Sequence, residues 1–341
     1  MTDASSPATA TAHANIALIK YWGKADDELI IPVTSSLSLT LDALYTTTTV
    51  RFGIDGDADE ATLDGEVVTG KAYNRIVDLL DLVRERAGIP DRAEVISVNT
   101  VPTAAGLASS ASGFAALAGA AAAAAGLELS DRELSRLARR GSGSASRSIF
   151  GGLAVWHAGT DDDSSYAEPV ADPTGLSGDL AMVVLVLDAG EKSVSSREGM
   201  RRTVQTSPDY RPWVEAHAGH LASAMEAVKN GDLERLGAVA EENAAGMHGT
   251  MASAVPPVEY VTDQSRAALA AVKTLREEGL PAWATMDAGP NVKVLTRASE
   301  AERVDARLRE MLAEVAPQLG TVVAYSGPGL EITRPDTREA N

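Results

Sequence analysis

Apolar and polar positions alternate in short runs near the start of the chain. Residues 16–19 are apolar, residues 37–41 place a leucine at every second position, and residues 46–52 are rich in β-branched side chains. Alternation of this kind is typical of strands with one face buried. We therefore predict strands across residues 13–52.

A helical period follows between residues 71 and 86, where apolar side chains recur every three to four positions before Gly88. A strand is predicted at residues 94–101. Ser130 and Glu133 then form a capping-box pattern, which predicts a helix start, and that helix is expected to end at Gly141.

The second half of the chain interleaves both periods. A buried strand is predicted at residues 181–187, and the polar, proline-containing residues 158–178 before it resemble a connection. We therefore place a domain boundary near residue 180, with domains at residues 1–180 and 181–335. Helices are predicted at 213–229, 232–246, 260–278 and 299–315, and strands at 282–286, 292–296 and 322–325. This interleaving favours an α+β fold with a mixed sheet.

Residues 102–113 are small or carry hydroxyl groups, and they lead into an alanine-rich helical pattern. A glycine loop before a helix start can hold a phosphate, because the unpaired N–H groups and the helix dipole favour an anion. The same residues also suit a capped packing helix. These residues alone leave both interpretations open. The alanine run is too short for a membrane span, and we expect a packed helix of a globular protein.

Composition narrows the chemistry. The 341 residues include no cysteine, which excludes disulfides and thiolate chemistry, and the formal net charge of −18 argues against nucleic acid and anionic membranes as partners. The first twelve residues have neither Lys or Arg nor an apolar segment, so no secretory signal is predicted and a cytoplasmic location is expected.

Lysine is scarce, yet Lys20 and Lys24 flank the end of a predicted strand together with Asn15 and Tyr21. Such a group suits a phosphate, with the ammonium groups as point charges. The same sequence pattern also fits a strand end whose charged side chains are exposed to solvent.

Two further segments have the same chemistry. Both segments place serines beside cationic side chains. The first is a glycine-rich loop with Ser142, Ser144 and Arg147, and the second contains Lys192, Ser196 and Arg197. Arginine can grip a carboxylate or phosphate with its planar fork. Each segment alone also fits a capped surface turn, but together with residues 102–113 they make three candidate anion-binding segments in an acidic chain, which favours anion binding.

Asp287 ends a predicted strand before a Gly-Pro turn. A carboxylate there can accept a proton from a substrate hydroxyl during phosphoryl transfer, and it can equally form an Asx turn. The five histidines have no metal-ligand spacing, although His217 and His220 lie one helical turn apart.

Four segments, residues 15–24, 102–112, 141–152 and 286–291, together resemble the diphosphomevalonate decarboxylase family of the GHMP kinase superfamily. The resemblance extends from about residue 13 to residue 330. It implies a GHMP kinase fold, in which an N-terminal domain with a left-handed βαβ crossover precedes a ferredoxin-like α+β C-terminal domain. It also implies that ATP and Mg²⁺ are used to phosphorylate and decarboxylate mevalonate diphosphate, giving isopentenyl diphosphate.

By this resemblance, Asp287 orients or deprotonates the 3-hydroxyl, Arg147 and Asn15 hold the substrate carboxylate, and Lys20 lies near the reacting oxygens. The substrate-binding candidates are Tyr21, Lys24, Ser142, Ser144, Lys192, Ser196 and Arg197. The ATP-binding candidates are Pro102, Ala105, Gly106, Leu107, Ala108, Ser109, Ser110 and Ser112. No protein ligand for the metal is predicted, since nucleotide oxygens and water would hold it, and the resemblance implies a homodimer.

Two alternatives stay open. One is a related enzyme that only phosphorylates the 3-hydroxyl, or that decarboxylates mevalonate monophosphate. The other is a non-catalytic nucleotide-binding sensor on the same fold.

Overall fold

A computed structural model of the chain describes residues 6–100, 109–188 and 194–334. Its strands are β1 (Ala8–Ile19), β2 (Lys24–Asp26), β3 (Ile31–Pro32), β4 (Ser36–Phe52), β5 (Glu60–Leu63), β6 (Glu66–Val67), β7 (Ala93–Asn99), β8 (Leu153–Trp156), β9 (Ala167–Pro169), β10 (Leu180–Val186), β11 (Trp283–Met286), β12 (Val292–Arg297), β13 (Gly320–Tyr325) and β14 (Glu331–Thr333). Its α-helices are α1 (Gly70–Ala87), α2 (Ser109–Ala124), α3 (Asp131–Gly141), α4 (Ser196–Thr206), α5 (Tyr210–Asn230), α6 (Leu233–Ala252), α7 (Asp263–Glu277) and α8 (Ala301–Leu312).

The first sheet has the order β14-β1-β4-β7-β5-β6, with β8 and β9 attached beside β4. Strands were expected at residues 13–52, and β1 and β4 confirm this, but β1 already begins at Ala8. Its alanines at 8, 10 and 12 are buried, while Thr9 and Thr11 hydrogen-bond to threonines of β4. The sequence pattern missed this part because alanine gives a weak apolar signal.

Helix ends follow the predicted chemistry. Gly88 after α1 adopts a left-handed conformation with φ 67°, and its N–H donates to the carbonyl of Arg84. Ser130 and Glu133 form the capping box that starts α3. Local sequence therefore sets these helix ends correctly.

The alanine-rich helix α2 is buried along nearly its whole length and contacts both β1 and β4. Small side chains permit this close approach: a Cβ at Gly119 would come within 2.8 Å of the Leu330 side chain. The packing role predicted for this helix is confirmed.

The second sheet has the order β11-β12-β10-β13, with every pairing antiparallel. Helices follow β10 and separate β12 from β13, which gives the β-α-β-β-α-β order of ferredoxin-like folds. Alternate residues of β10 face opposite cores: Met182 and Val184 face α5 and α6, and Val183 and Leu185 face α7 and α8. Burial on both faces explains the continuous apolar run of this strand.

The two halves share one core, in which Leu37, Leu39 and Leu41 of β4 pack in the same cluster as Met182 of β10. The last strand, β14, returns to pair with β1. The domain limits of 1–180 and 181–335 stay a prediction.

The glycine-rich segment after α3 differs from its prediction. It was expected to be a polar loop, but it forms a 3₁₀ helix at Gly143–Ile149. The Ser146 hydroxyl donates to the Gly143 carbonyl over 2.7 Å, so serines that suggested a surface loop instead satisfy a buried backbone. Within the three described ranges, no helix combines the length and the apolar character needed to cross a membrane.

Candidate active site

A cavity of about 420 Å³ lies where the end of β1, the starts of α2 and α4, the 3₁₀ helix and the segment after β11 meet. Its charged lining residues are five cations and one carboxylate, namely Lys20, Lys24, Arg75, Arg147, Arg197 and Asp287. The chain as a whole carries a net charge of −18. Concentration of cations in one cleft of an acidic protein favours a ligand with several negative charges.

Asp287 lies between two buried lysines. Lys20 Nζ is 2.9 Å from Oδ1, and Lys293 Nζ is 3.3 Å from Oδ2. Lys20 is held in place by a second bond, from Nζ to the Ala17 carbonyl at 2.7 Å. Among the described residues, the carboxylate accepts no bond from a backbone N–H, so the Asx turn considered from the sequence is not formed.

The charge state of Asp287 follows from these contacts. Burial favours the neutral acid and so raises the pKa of a carboxyl group, but the ammonium groups of Lys20 and Lys293 outweigh it and hold the pKa of Asp287 well below its usual range. The side chain is 34% exposed, on the side of the cavity. A negative charge is therefore presented to a ligand throughout the physiological pH range.

Arg147 is almost fully buried, and neighbours fix its plane. Nε donates to Asn15 Oδ1 at 3.2 Å and Nη1 donates to Ser36 Oγ at 2.5 Å. Asn15 in turn donates to the Ser144 carbonyl and the Ser148 hydroxyl. Burial lowers the pKa of Arg147 to about 10, so it stays charged at neutral pH. Nη2 has no partner among the described residues, which leaves the far side of the fork for a ligand.

The predicted substrate-binding residues Tyr21, Lys24, Ser142, Ser144, Ser196 and Arg197 all line this cavity. The Tyr21 ring packs edge-on against Trp156, with 4.8 Å between the centroids. Lys24 forms an ion pair with the exposed Asp27 at the cavity mouth, 2.8 Å apart. Lys192 lies outside the described residues.

The predicted ATP-binding residues divide into three groups. Ser109 and Ser110 line the cavity at the start of α2. Ser112 does not, since its buried hydroxyl lies 2.8 Å from that of Thr46 and fastens α2 to β4. Its place among the ATP-binding candidates therefore stays a prediction, and in the structure the side chain contacts β4 instead of lining the cavity. Pro102, Ala105, Gly106, Leu107 and Ala108 lie outside the described residues.

A second hollow of about 190 Å³ adjoins the cavity between α1, α2, β5 and β7. Its walls are mostly apolar and include Ile76, Phe114 and Leu117. Arg75, Ser109 and Ser110 border both spaces. An apolar groove next to a cationic cavity suits a ligand with a flat base and a phosphate chain.

Several residues were missed from the sequence. Lys293 gave a signal, since it is a lone lysine inside the apolar strand β12. Arg75 gave none, because it lies on a helix with other exposed charges; in the structure its Nη2 donates to the Gly141 carbonyl and its guanidinium stacks on Phe114. Burial, together with the nearby Lys20 charge, lowers the pKa of His248 to about 4, so this histidine beside Lys20 and Asp287 is neutral at neutral pH.

Within the described part of the chain, no group of three or more His, Asp or Glu side chains could hold a metal ion. His217 and His220 both accept hydrogen bonds from Asn243, at 3.2 and 3.1 Å, and Asn243 also accepts the backbone N–H of Lys20. This pair of histidines therefore supports the Lys20 segment.

Comparison with known proteins gives consistent matches. Residues 12–167 match the family model for the diphosphomevalonate decarboxylase-like N-terminal domain, and residues 182–327 match that for the mevalonate 5-diphosphate decarboxylase C-terminal domain. The human diphosphomevalonate decarboxylase is 36% identical over 308 residues, which cover 84% of this chain and 76% of the human protein.

Two solved structures extend the likeness to three dimensions. The mevalonate diphosphate decarboxylase from Staphylococcus aureus is 45% identical, with a TM-score of 0.91 over 96% of this chain and 98% of that one. A structure described as MDDEF in complex with MVAPP, AMPPCP and magnesium is 48% identical, with a TM-score of 0.90 over 96% and 99% of the two chains.

The two-part α+β fold places the chain among the proteins with the GHMP kinase fold. Within that class, the chain belongs to the diphosphomevalonate decarboxylase family.

Proposed function

We propose that the Asp287 cavity is the active site in which this chain decarboxylates mevalonate 5-diphosphate with ATP, giving isopentenyl diphosphate, ADP, phosphate and CO₂. The observation that carries the proposal is the pairing of one lysine-bound carboxylate with five lining cations in a single cavity. Such a cavity fits a substrate that has a hydroxyl to be oriented and both a carboxylate and a diphosphate to be bound.

The chemistry explains why ATP is consumed. The substrate has no carbonyl that could accept the electrons released as CO₂ departs, so its tertiary hydroxyl must first become a good leaving group. Phosphorylation achieves this. Phosphoryl transfer passes through a loose transition state, for which positioning and charge stabilisation matter more than a strong base. Asp287, kept ionised by Lys20 and Lys293, suits this task as an acceptor that orients the hydroxyl.

Arg147 is assigned to the substrate carboxylate, since it lines the cavity while Asn15 and Ser36 hold its Nε and Nη1. The diphosphate is assigned to the remaining polar side chains that line the cavity, namely Tyr21, Lys24, Ser142, Ser144, Ser196 and Arg197.

ATP is assigned to the start of α2, where Ser109 and Ser110 border both the cavity and the apolar groove. The groove would take the base, and the helix start would face the phosphates. The donor set suits a metal that arrives on the nucleotide, because the described residues offer hydroxyl groups there and no cluster of carboxylates. When bound, Mg²⁺ neutralises charge on the phosphate chain. A homodimer, which rests on family resemblance, and the cytoplasmic location expected above complete the proposal.

The test uses purified protein with ATP, Mg²⁺ and mevalonate diphosphate, with the monophosphate in parallel. We expect equal amounts of CO₂, phosphate and ADP from the diphosphate. ADP without CO₂ would assign the protein to the kinases, and ATP binding without turnover would favour a sensor. Asp287→Asn should lower kcat by roughly two to four orders of magnitude, about 3 to 5 kcal/mol of barrier, with little change in folding.

A further inference from the structure

Lys293 occupies an unusual place for a lysine. It lies in β12 between Val292 and Val294, it is 1% exposed, and its strand is hydrogen-bonded to a neighbour on either side. An ammonium group buried in a sheet is costly unless it is paired and hydrogen-bonded. Its partners are the Asn291 carbonyl at 3.3 Å and Asp287 Oδ2 at 3.3 Å.

Lys20 already supplies one positive charge to the same carboxylate. It approaches Oδ1 at 2.9 Å from the end of β1, whereas Lys293 approaches Oδ2 from β12. One contact alone would leave the carboxylate free to turn about its terminal torsion, which has broad minima. Two contacts on different oxygens fix the plane of the group. The exposed third of the side chain then faces the cavity in one orientation.

We propose that Lys293 is a positioning residue for the reaction, and that it fixes the Asp287 carboxylate from Oδ2 while Lys20 fixes it from Oδ1. The inference rests on the role proposed above for Asp287. Lys293 does not line the cavity, so it acts through Asp287.

Two consequences follow from the geometry. The carboxylate has an excess of positive charge around it, so it is a weak base that still accepts a hydrogen bond from the substrate hydroxyl. Proton transfer can then come late, after the phosphoryl group has begun to move, as a loose transition state allows. Loss of Lys293 should therefore disturb orientation and lower kcat, with little effect on the binding of either substrate.

The test is a double-mutant cycle with Lys293→Met and Asp287→Asn. Lys293→Met should lower kcat by roughly 10- to 100-fold, because a small misplacement near the reacting atoms costs about that much. KM for each substrate should change by less than about threefold. In the Asp287→Asn background the same change should have no further effect on kcat, since the group that Lys293 positions is already neutral. Lys273→Met, at an exposed position on α7, is the matched control.

Thermal unfolding gives a second readout. Lys293→Met should lower the melting temperature of the wild-type chain, since it removes an ion pair, and raise it in the Asp287→Asn chain, since there it removes one of two charges facing a neutral amide. A packing role would change both in the same direction. If the Met variant does not fold, Lys293→Gln takes its place in the cycle, because a glutamine amide can fill the site without the charge.

Equal losses of kcat in both backgrounds, or a near-normal kcat for the folded Lys293 variant, would overturn the inference. If Asp287→Asn by itself left kcat unchanged, the failure would instead belong to the proposed role of Asp287. The two failures are thus distinguishable.

Discussion

Arg147 offers the sharpest test of how this site holds a carboxylate. The side chain is 2% exposed, and two of its nitrogens are bonded to Asn15 and Ser36. Arg147→Lys keeps the charge but places a single ammonium group where a planar fork had bonded on two sides. Arg147→Met removes the charge and keeps much of the volume. The pair of variants therefore separates the charge from the fork geometry.

The expected magnitude follows from the cost of breaking a buried, hydrogen-bonded charge pair. Removal of one partner costs about 2 to 5 kcal/mol, and the lower part of that range corresponds to a loss of about 30- to 1,000-fold in kcat/KM. Most of the effect should fall on KM for mevalonate diphosphate, because the carboxylate is bound in the ground state and loses its charge as CO₂ forms. Arg147→Lys should recover only part of the loss, since lysine cannot bond Asn15, Ser36 and a ligand together.

The assay measures initial rates of ADP release against mevalonate diphosphate at saturating ATP, and then against ATP. KM for ATP should stay within about threefold of the wild-type value, because Arg147 lies away from the groove assigned to the nucleotide. Arg211→Met, at an exposed position on α5, is the control. Thermal unfolding checks that Asn15 and Ser36, left without their partner, have not unfolded the chain. An unchanged KM for mevalonate diphosphate in a folded Arg147→Met enzyme would refute the reasoning.

Two further predictions concern stability and packing. Burial lowers the pKa of both His217 and His248 to about 4. As the pH falls, these histidines therefore take up protons in the unfolded chain before they do so in the folded one. The free energy of unfolding should decrease between about pH 6.5 and pH 4, by up to about 1.4 kcal/mol per pH unit for each histidine. Urea titrations at several pH values measure this slope, which His217→Gln should make shallower; an identical slope would contradict it. A Cβ at Gly143 would lie 2.8 Å from Trp156 and 3.0 Å from Tyr21, so Gly143→Ala should cost about 1 to 3 kcal/mol and raise KM for the substrate by displacing the Tyr21 ring. Normal unfolding and a normal KM in that variant would show that the rings move aside freely.

The sequence allowed much of this fold to be predicted where local chemistry decides. The caps at Gly88 and Ser130, the buried strand β10 and the helix α2 all follow from short-range patterns. The glycine-rich segment before Phe150 did not follow, because its serines suit an exposed loop as well as a buried 3₁₀ helix. Only the packing of this segment against β1, β4 and α2 decides between an exposed loop and a buried helix.

The site divides in the same way. The sequence by itself indicated the family and identified Lys20, Arg147 and Asp287 as candidate site residues, because they lie in segments that resemble those of the family. It could not place Lys293 beside Asp287, nor direct Ser112 away from the cavity. Tertiary structure decided these points, because the charge of a carboxylate and the partner of a hydroxyl depend on distances in space. Lys20 and Asp287 are separated by 267 positions in the chain and by 2.9 Å in the fold.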